Sequence, residues 1–201
     1  VKIFNVKEAM EQMKADGIKN VLVQPTHVIN GIENDLMKED ALAFKNRFER
    51  ITFGDPLLTT QQDHVEIVNA ICQEFSNLPA DCALILMGHG TSHYANDVYA
   101  ALDYRFKDLG FSNIHLATVE GYPTLENVTR MVKEQEAKKV ILAPFMIVAG
   151  DHARNDMSGD DEDSWKNQFR AAGYDVECRM KGLGEYPAIQ DMLIRHVTEV
   201  C

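Results

Sequence analysis

The sequence predicts an α/β fold of two lobes, each a parallel sheet flanked by helices, with the active-site cleft between them. Helix-like and strand-like patterns alternate along all 201 residues, an order that produces parallel sheets. Residues 19–25 match residues 138–144, and each segment ends in proline and continues to an Asn-Asp pair. This match predicts that the lobes arose by internal duplication. We expect an N-terminal lobe over residues 1–79 and a C-terminal lobe over residues 80–201.

The N-terminal lobe begins with a predicted helix. Asn5 and Glu8 have the spacing of a capping box, and Gly17 ends the apolar stripe that follows. The remaining elements are predicted as a strand at 20–24, a helix at 33–48, a strand at 51–53, and a helix from about Thr59 to Pro79. If the duplication is correct, the counterpart of the strand at 82–87 would precede Val1. We therefore expect this lobe to lack its first strand and helix.

The C-terminal lobe is organised around residues 82–87. This continuous apolar run is typical of a strand buried on both faces. Alternating helices and strands are predicted at 96–109, 113–119, 124–136, 139–148, 164–173, 175–180 and 186–200. We expect the last helix to pack back on the N-terminal lobe.

The overall composition argues against several classes of partner. The net charge is −11 and no basic stretch is present, so neither nucleic acid nor an anionic membrane surface is a favoured partner. No apolar run reaches the roughly 20 residues of a membrane span. The four cysteines form no Cys-x-x-Cys pair, which favours a reducing compartment, by default the cytoplasm.

Three predicted strands end in residues that can bind a metal ion. His89 follows the strand at 82–87, Glu120 follows 113–119, and His152 follows 139–148. The carboxyl ends of parallel strands meet at one edge of a sheet, where α/β proteins bind ligands. Two imidazoles and a carboxylate suit a divalent metal such as zinc or cobalt. Each residue alone also has an ordinary structural interpretation, as a loop histidine, a helix-start acid or a capping residue.

Other residues have weaker claims to a functional role. Gly88 and Gly90 flank His89 and permit a large ligand to approach the backbone, and His93 is a second choice of ligand. His27, at the equivalent strand end of the other lobe, is expected to line the opposite wall of the cleft. Histidines predicted to be structural are His64, His115 and His196. The dinucleotide-binding, EF-hand and nucleophile-elbow patterns are all incomplete.

Several of these motifs together resemble one enzyme family. The segments Leu86-Met87-Gly88-His89-Gly90-Thr91-Ser92-His93, Val119-Glu120-Gly121-Tyr122-Pro123 and Gly150-Asp151-His152-Ala153-Arg154-Asn155-Asp156-Met157 resemble the anaerobic sirohydrochlorin cobaltochelatases. These are class II chelatases, related in fold to ferrochelatase. The resemblance implies two chelatase-like lobes with a tetrapyrrole between them, and a homo-oligomer. Family members open with a strand and loop that this chain lacks, so the resemblance also implies an incomplete N-terminus.

The resemblance implies a specific reaction. It is the insertion of Co²⁺ into sirohydrochlorin, with release of two protons, in anaerobic cobalamin biosynthesis; Ni²⁺, Fe²⁺ or Zn²⁺ could substitute for cobalt. By the resemblance the catalytic metal ligands are His89, Glu120 and His152. The candidate substrate-binding residues are Gly88, Gly90, Thr91, Ser92, His93, His27 and Arg154. The alternatives are a nickel or iron chelatase of a related ring, a non-catalytic metal or tetrapyrrole carrier, and a sensor similar to periplasmic binding proteins.

Overall fold

The computed structural model describes residues 3–201, which form two parallel sheets flanked by helices. The smaller sheet pairs β1 (Asn20–Val23) with β2 (Arg50–Phe53). The larger sheet has the order β4-β3-β5-β6, and its strands are β3 (Cys82–Gly88), β4 (Ile114–Thr118), β5 (Lys139–Pro144) and β6 (Asp175–Cys178). The parallel sheets and flanking helices confirm the predicted α/β class. The internal duplication stays a prediction.

Helices flank both sheets. They are α1 (Val6–Ala15), α2 (Ile32–Leu42), α3 (Gln61–Glu74), α4 (Asp97–Asp108), α5 (Leu125–Glu134), α6 (Trp165–Ala171) and α7 (Pro187–Thr198). The predicted capping box is confirmed, since Asn5 and Glu8 exchange side-chain-to-backbone hydrogen bonds at the start of α1. Within residues 3–201, no helix combines the length and apolar character needed to cross a membrane.

Strand β3 lies at the centre of the core, as its apolar run predicts. All seven of its residues are buried, because β4 and β5 pair with its two edges and helices cover its two faces. Leu84 and Leu86 pack towards α3, α4 and α7, whereas Ile85 and Met87 pack towards α5 and α6. A separate small core joins α1 and α2 to β1 and β2. The larger sheet thus forms a rigid base for the loops at its carboxyl edge.

Helix α3 packs on the larger sheet. Its buried residues Ile67, Val68 and Ile71 belong to the same apolar cluster as β3 and α4. Helix α7 packs against α3, and the guanidinium of Arg50 in β2 donates to the carbonyl of Val200, beyond α7. The predicted division at residue 79 stays a prediction, with α3 attached to the sheet of the C-terminal part.

Several predicted elements are shorter in the structure, among them β5 and α2. The strand predicted at 139–148 ends at Pro144, and the amide of Phe145 then donates to the carbonyl of Met87. Proline has no amide hydrogen to continue a ladder, so the longer prediction was wrong. The helix predicted at 33–48 ends at Leu42, before a short 3₁₀ turn at Lys45–Arg47. Leu36, in the middle of this helix, is 56% exposed.

Candidate metal centre

Three loops at the carboxyl edge of the larger sheet bring His89, Glu120 and His152 together. Backbone pairing continues beyond the strands, since the amide of Val119 donates to the carbonyl of Gly88 and that of Glu120 to His89, at 3.1 and 2.8 Å. One ligand atom from each of the three side chains lies within 4.8 Å of the other two. No other group of three His, Cys, Asp or Glu side chains in residues 3–201 forms such a cluster.

Both imidazoles are oriented through their Nδ1 atoms. The Nδ1 of His89 lies 2.8 Å from the carbonyl oxygen of Gly90, and that of His152 lies 2.5 Å from a carboxylate oxygen of Asp156. A carbonyl and a carboxylate accept hydrogen bonds, so each Nδ1 carries the hydrogen and each Nε2 keeps a free lone pair. This arrangement is typical of histidines that bind metals.

The cluster lies at the surface of a cleft. His89 and His152 are half-buried, with ring centroids 4.7 Å apart and ring planes at 85°, whereas Glu120 is exposed. Three protein ligands of this kind can hold a divalent ion and leave coordination positions open to a second molecule. The geometry therefore suits a divalent metal that keeps open coordination positions.

Closely packed glycines join the loops that carry His89 and Glu120. Gly90 has a φ of +82°, and a Cβ on it would lie 2.5 Å from the backbone nitrogen of Gly121. A Cβ on Gly88 would lie 2.7 Å from the ring of Tyr99. Glycine is therefore required at Gly88 and Gly90 by packing within the protein, whether or not a ligand approaches them.

A cavity of about 190 Å³ adjoins His89 and is lined from both parts of the chain. Gly90, Thr91 and Tyr99 line one side, and His27 lines the other. The Nδ1 of His27 is buried and has no hydrogen-bond partner within residues 3–201. Burial raises the pKa of Tyr99 to about 12, despite an opposing hydrogen bond with the backbone of Gly90. The Tyr99 hydroxyl is therefore protonated at neutral pH.

The remaining predicted substrate-binding residues occupy different positions. The Nδ1 of His93 accepts from the amide of Ala95, and its Nε2 lies 3.6 Å from Asp35, across the cleft. Ser92 and Arg154 are exposed. The guanidinium of Arg154 forms no ion pair with any described residue. Their proposed contacts with a substrate stay predictions.

Neither Asp156 nor Asn96 was given a functional role from the sequence. Asp156 lies four residues after His152, and the chain between them enters a π-helical turn at Ala153–Met157. Such turns occur often at functional sites. The four-residue spacing could have predicted the contact between His152 and Asp156. Asn96 contacts the loops of His89 and Glu120 only because of the tertiary fold, so no local pattern predicts its position.

The histidines predicted to be structural lie outside the cluster. His115 is buried in β4 between Lys107 and Gln135, and His196 in α7 contacts Asp63. His64 lies on α3 and is half-buried. None of the three contributes to the metal-ligand group.

Comparison with known proteins identifies close sequence relatives. A family model for cobalt chelatase (CbiK) matches residues 1–201. The chain is 37% identical over 190 residues to the sirohydrochlorin cobaltochelatase of Salmonella typhimurium, covering 94% of this chain and 72% of that protein. It is 32% identical over 203 residues to the sirohydrochlorin cobaltochelatase CbiKC of Nitratidesulfovibrio vulgaris, covering 98% of this chain and 71% of that protein.

Solved structures share the fold at lower sequence identity. The sirohydrochlorin chelatase SirB of Bacillus subtilis subspecies spizizenii in complex with cobalt has a TM-score of 0.63 at 13% identity, covering 99% of this chain and 76% of that one. SirB of Bacillus subtilis with Fe³⁺ has a TM-score of 0.68 at 14% identity, covering 98% and 78%. At these identities the comparison shows a chelatase-like fold, as predicted.

Proposed function

The chain belongs to the cobalt chelatase (CbiK) family, and from that membership we propose that it inserts Co²⁺ into sirohydrochlorin. The observation that carries the proposal is the cluster of His89, Glu120 and His152, whose ligand atoms lie within 4.8 Å of one another beside the cleft. Sirohydrochlorin is the ring that the names of both curated relatives specify. The proposed pathway is cobalamin biosynthesis.

The three side chains have complementary roles in this reaction. The two imidazoles bind Co²⁺ through Nε2, and the Glu120 carboxylate offsets part of its charge. The three ligands together orient the ion. Because none of them is a thiolate, the ion can still be passed to the ring nitrogens. When cobalt leaves, the lone pairs of His89 and His152 become free to accept the two pyrrole protons. Metal transfer and proton removal are thereby coupled at the same atoms.

The surrounding residues are proposed to hold the ring. Thr91 and His27 line the cavity beside His89 and would contact the macrocycle from opposite sides. Arg154 is exposed two residues beyond His152, and we assign it to a carboxylate of the substrate. Lys181 is less suitable for this role because it pairs with Glu74 and lies over the ring of Tyr186.

Other divalent metals are proposed to compete for the same site. Imidazole and carboxylate ligands bind Ni²⁺, Fe²⁺ and Zn²⁺ as well as Co²⁺. The affinities of these metals for such a ligand set follow a general order, so the ligands alone do not select one metal. We therefore expect cobalt selectivity in the cell to depend on metal supply. The four free cysteines are consistent with a reducing compartment such as the cytoplasm.

Anaerobic cobalt insertion, followed by the visible spectrum of sirohydrochlorin, tests the proposed function. The parent protein is compared with the His89→Ala, His152→Ala double variant and with His64→Ala, which removes a histidine outside the cluster. We expect turnover by the parent and by His64→Ala, and only the uncatalysed rate from the double variant. Equal rates from the parent and the double variant would overturn the site assignment. Binding of ring and metal by the parent without turnover would instead indicate a carrier.

A further inference from the structure

The side chain of Asn96 connects the loop of His89 to the loop of Glu120. Its Oδ1 accepts from the amide of Thr91 at 3.0 Å, and its Nδ2 donates to the carbonyl of Tyr122 at 2.7 Å. Thr91 lies two residues beyond His89, and Tyr122 lies two residues beyond Glu120. The Asn96 side chain therefore contacts each loop at the same distance along the chain from a metal ligand.

Asn96 is held tightly between the loops. It is only 8% exposed, and a Cβ on Gly121 would lie 2.2 Å from its Oδ1 and 3.0 Å from the amide nitrogen of Thr91. Loss of the amide would leave the Thr91 amide and the Tyr122 carbonyl without these partners in a partly buried position, which is unfavourable. A primary amide offers a donor and an acceptor on one rigid group, and both bonds need that combination.

We propose that Asn96 is a positioning residue that sets the separation of His89 and Glu120, and thus the shape of the metal site. The inference rests on the proposed function, because it assumes that these two side chains bind the metal. The Asn96 side chain forms no hydrogen bond with His89, Glu120 or His152. It acts through Thr91 and Tyr122, as outer residues do that orient the ligands of metal sites.

Asn113 supplies a matched control. It also joins backbone segments through its side-chain amide, donating to the carbonyls of Cys82 at 2.9 Å and Pro79 at 3.4 Å. These contacts lie at the opposite end of β3 and β4. Asn113→Ala therefore removes a comparable amide clamp from the same pair of strands without affecting the ligand loops.

The experiment compares Asn96→Ala, Asn96→Asp and Asn113→Ala with the parent. The measurements are thermal unfolding, Co²⁺ affinity, the ligand-field absorption of bound Co²⁺, and the kcat and KM of cobalt insertion. We expect both alanine variants to unfold at lower temperature. Only Asn96→Ala should bind Co²⁺ about 10- to 100-fold more weakly, with an altered spectrum and a lower kcat. Asn96→Asp should show a Co²⁺ affinity and spectrum similar to those of Asn96→Ala, because a carboxylate oxygen would face the carbonyl of Tyr122 and repel it.

The outcomes separate this inference from the proposed function. Equal Co²⁺ affinities and spectra for Asn96→Ala and Asn113→Ala would overturn the positioning role. A parent that binds Co²⁺ but inserts it only at the uncatalysed rate would overturn the proposed function, while the spectra still test Asn96. If Asn96→Ala does not fold, Gly121→Ala provides the second test, since its Cβ would push against the Asn96 amide. We expect it to weaken Co²⁺ binding to a similar extent, and parent-like affinity would overturn the proposal.

Discussion

The Nδ1 of His152 lies 2.5 Å from the Oδ2 of Asp156, within one turn of the same irregular helix. The Asp156 carboxylate accepts a hydrogen bond from this nitrogen, so it holds the hydrogen on Nδ1 and leaves the Nε2 lone pair of His152 free. A carboxylate in this position also makes the imidazole a stronger ligand. The tautomer that His152 needs for the proposed metal binding is thus determined by Asp156, which is not one of the three clustered side chains.

Replacing Asp156 should weaken the binding of Co²⁺ without unfolding the protein. We expect Asp156→Ala to lower the affinity about 10- to 100-fold, since the imidazole loses its orientation. Asp156→Asn should have a smaller effect, because the amide oxygen can still accept from Nδ1. Titration with Co²⁺ monitored by absorption measures both, and Asp160→Asn is the control, because Asp160 is an exposed carboxylate paired with Lys166. Equal affinities for Asp156→Ala and Asp160→Asn would contradict this role.

Replacing Glu120 with glutamine tests whether its negative charge, rather than its size, contributes to the binding of Co²⁺. Glu120→Gln keeps an oxygen at the same position but removes the negative charge, so we expect Co²⁺ to bind at least about tenfold more weakly. Glu126→Gln removes an equal charge from the first turn of α5, close in sequence but outside the cluster. Calorimetric titration of all three proteins distinguishes direct binding from a general change in charge. The role of Glu120 as a ligand is wrong if both variants lose the same affinity.

Asp63 joins α3 to α7 through a buried group of polar side chains. Its Oδ1 accepts from Arg195 at 2.7 Å and lies 2.9 Å from the Nε2 of His196, and its Oδ2 accepts from the amide and hydroxyl of Thr60. Burial would raise the pKa of Asp63, but the hydrogen bonds from Arg195, His196 and Thr60 outweigh it and hold the pKa well below the usual range. The Asp63 carboxylate therefore takes up a proton at a higher pH in the unfolded chain than in the folded protein.

The sign of this shift predicts acid sensitivity. The stabilisation by Asp63 is fully present above the usual pKa of an aspartate, about 4, and is lost as the pH falls towards the lower folded value. We expect Asp63→Asn to lower the free energy of unfolding by about 2 kcal/mol at pH 7, because the charge-assisted hydrogen bond from Arg195 is lost while Glu66 and Glu199 still pair with Arg195. Urea unfolding between pH 3 and 7 should show a smaller acid-side loss in the variant. If the free energy of unfolding falls by the same amount between pH 7 and pH 3 in both proteins, the prediction is wrong.

The contrast between His89 and Asn96 shows what the sequence can predict. A long apolar strand bounded by glycines determines where His89 emerges, so local patterns suffice to place it at the edge of the sheet. The contact of Asn96 with Tyr122 joins residues far apart in sequence, and no local pattern encodes it. Asp63 and Arg195 likewise meet only because α3 and α7 pack together. The end of β5 at Pro144 was predictable, since proline removes the donor that the ladder needs.

His115 should make the stability of the protein depend on pH in a different range from Asp63. It is fully buried in β4, with its Nε2 2.9 Å from Gln135 and its Nδ1 3.3 Å from the ammonium group of Lys107. Burial, and next the charge of Lys107, lower the pKa of His115. The folded protein therefore keeps this imidazole neutral at a pH where the unfolded chain, with a histidine pKa of about 6.5, binds a proton.

The consequence is a loss of stability on the acid side of that value. As the pH falls below about 6.5, the unfolded state gains a proton that the folded state refuses, so the free energy of unfolding decreases. We expect His115→Gln to flatten this part of the profile, measured by urea unfolding from pH 5 to pH 8. At pH 8 both imidazole states are neutral, so the difference between parent and variant there reports packing alone and serves as the internal control. A pH-independent difference across the whole range would show that His115 does not titrate between the folded and unfolded states.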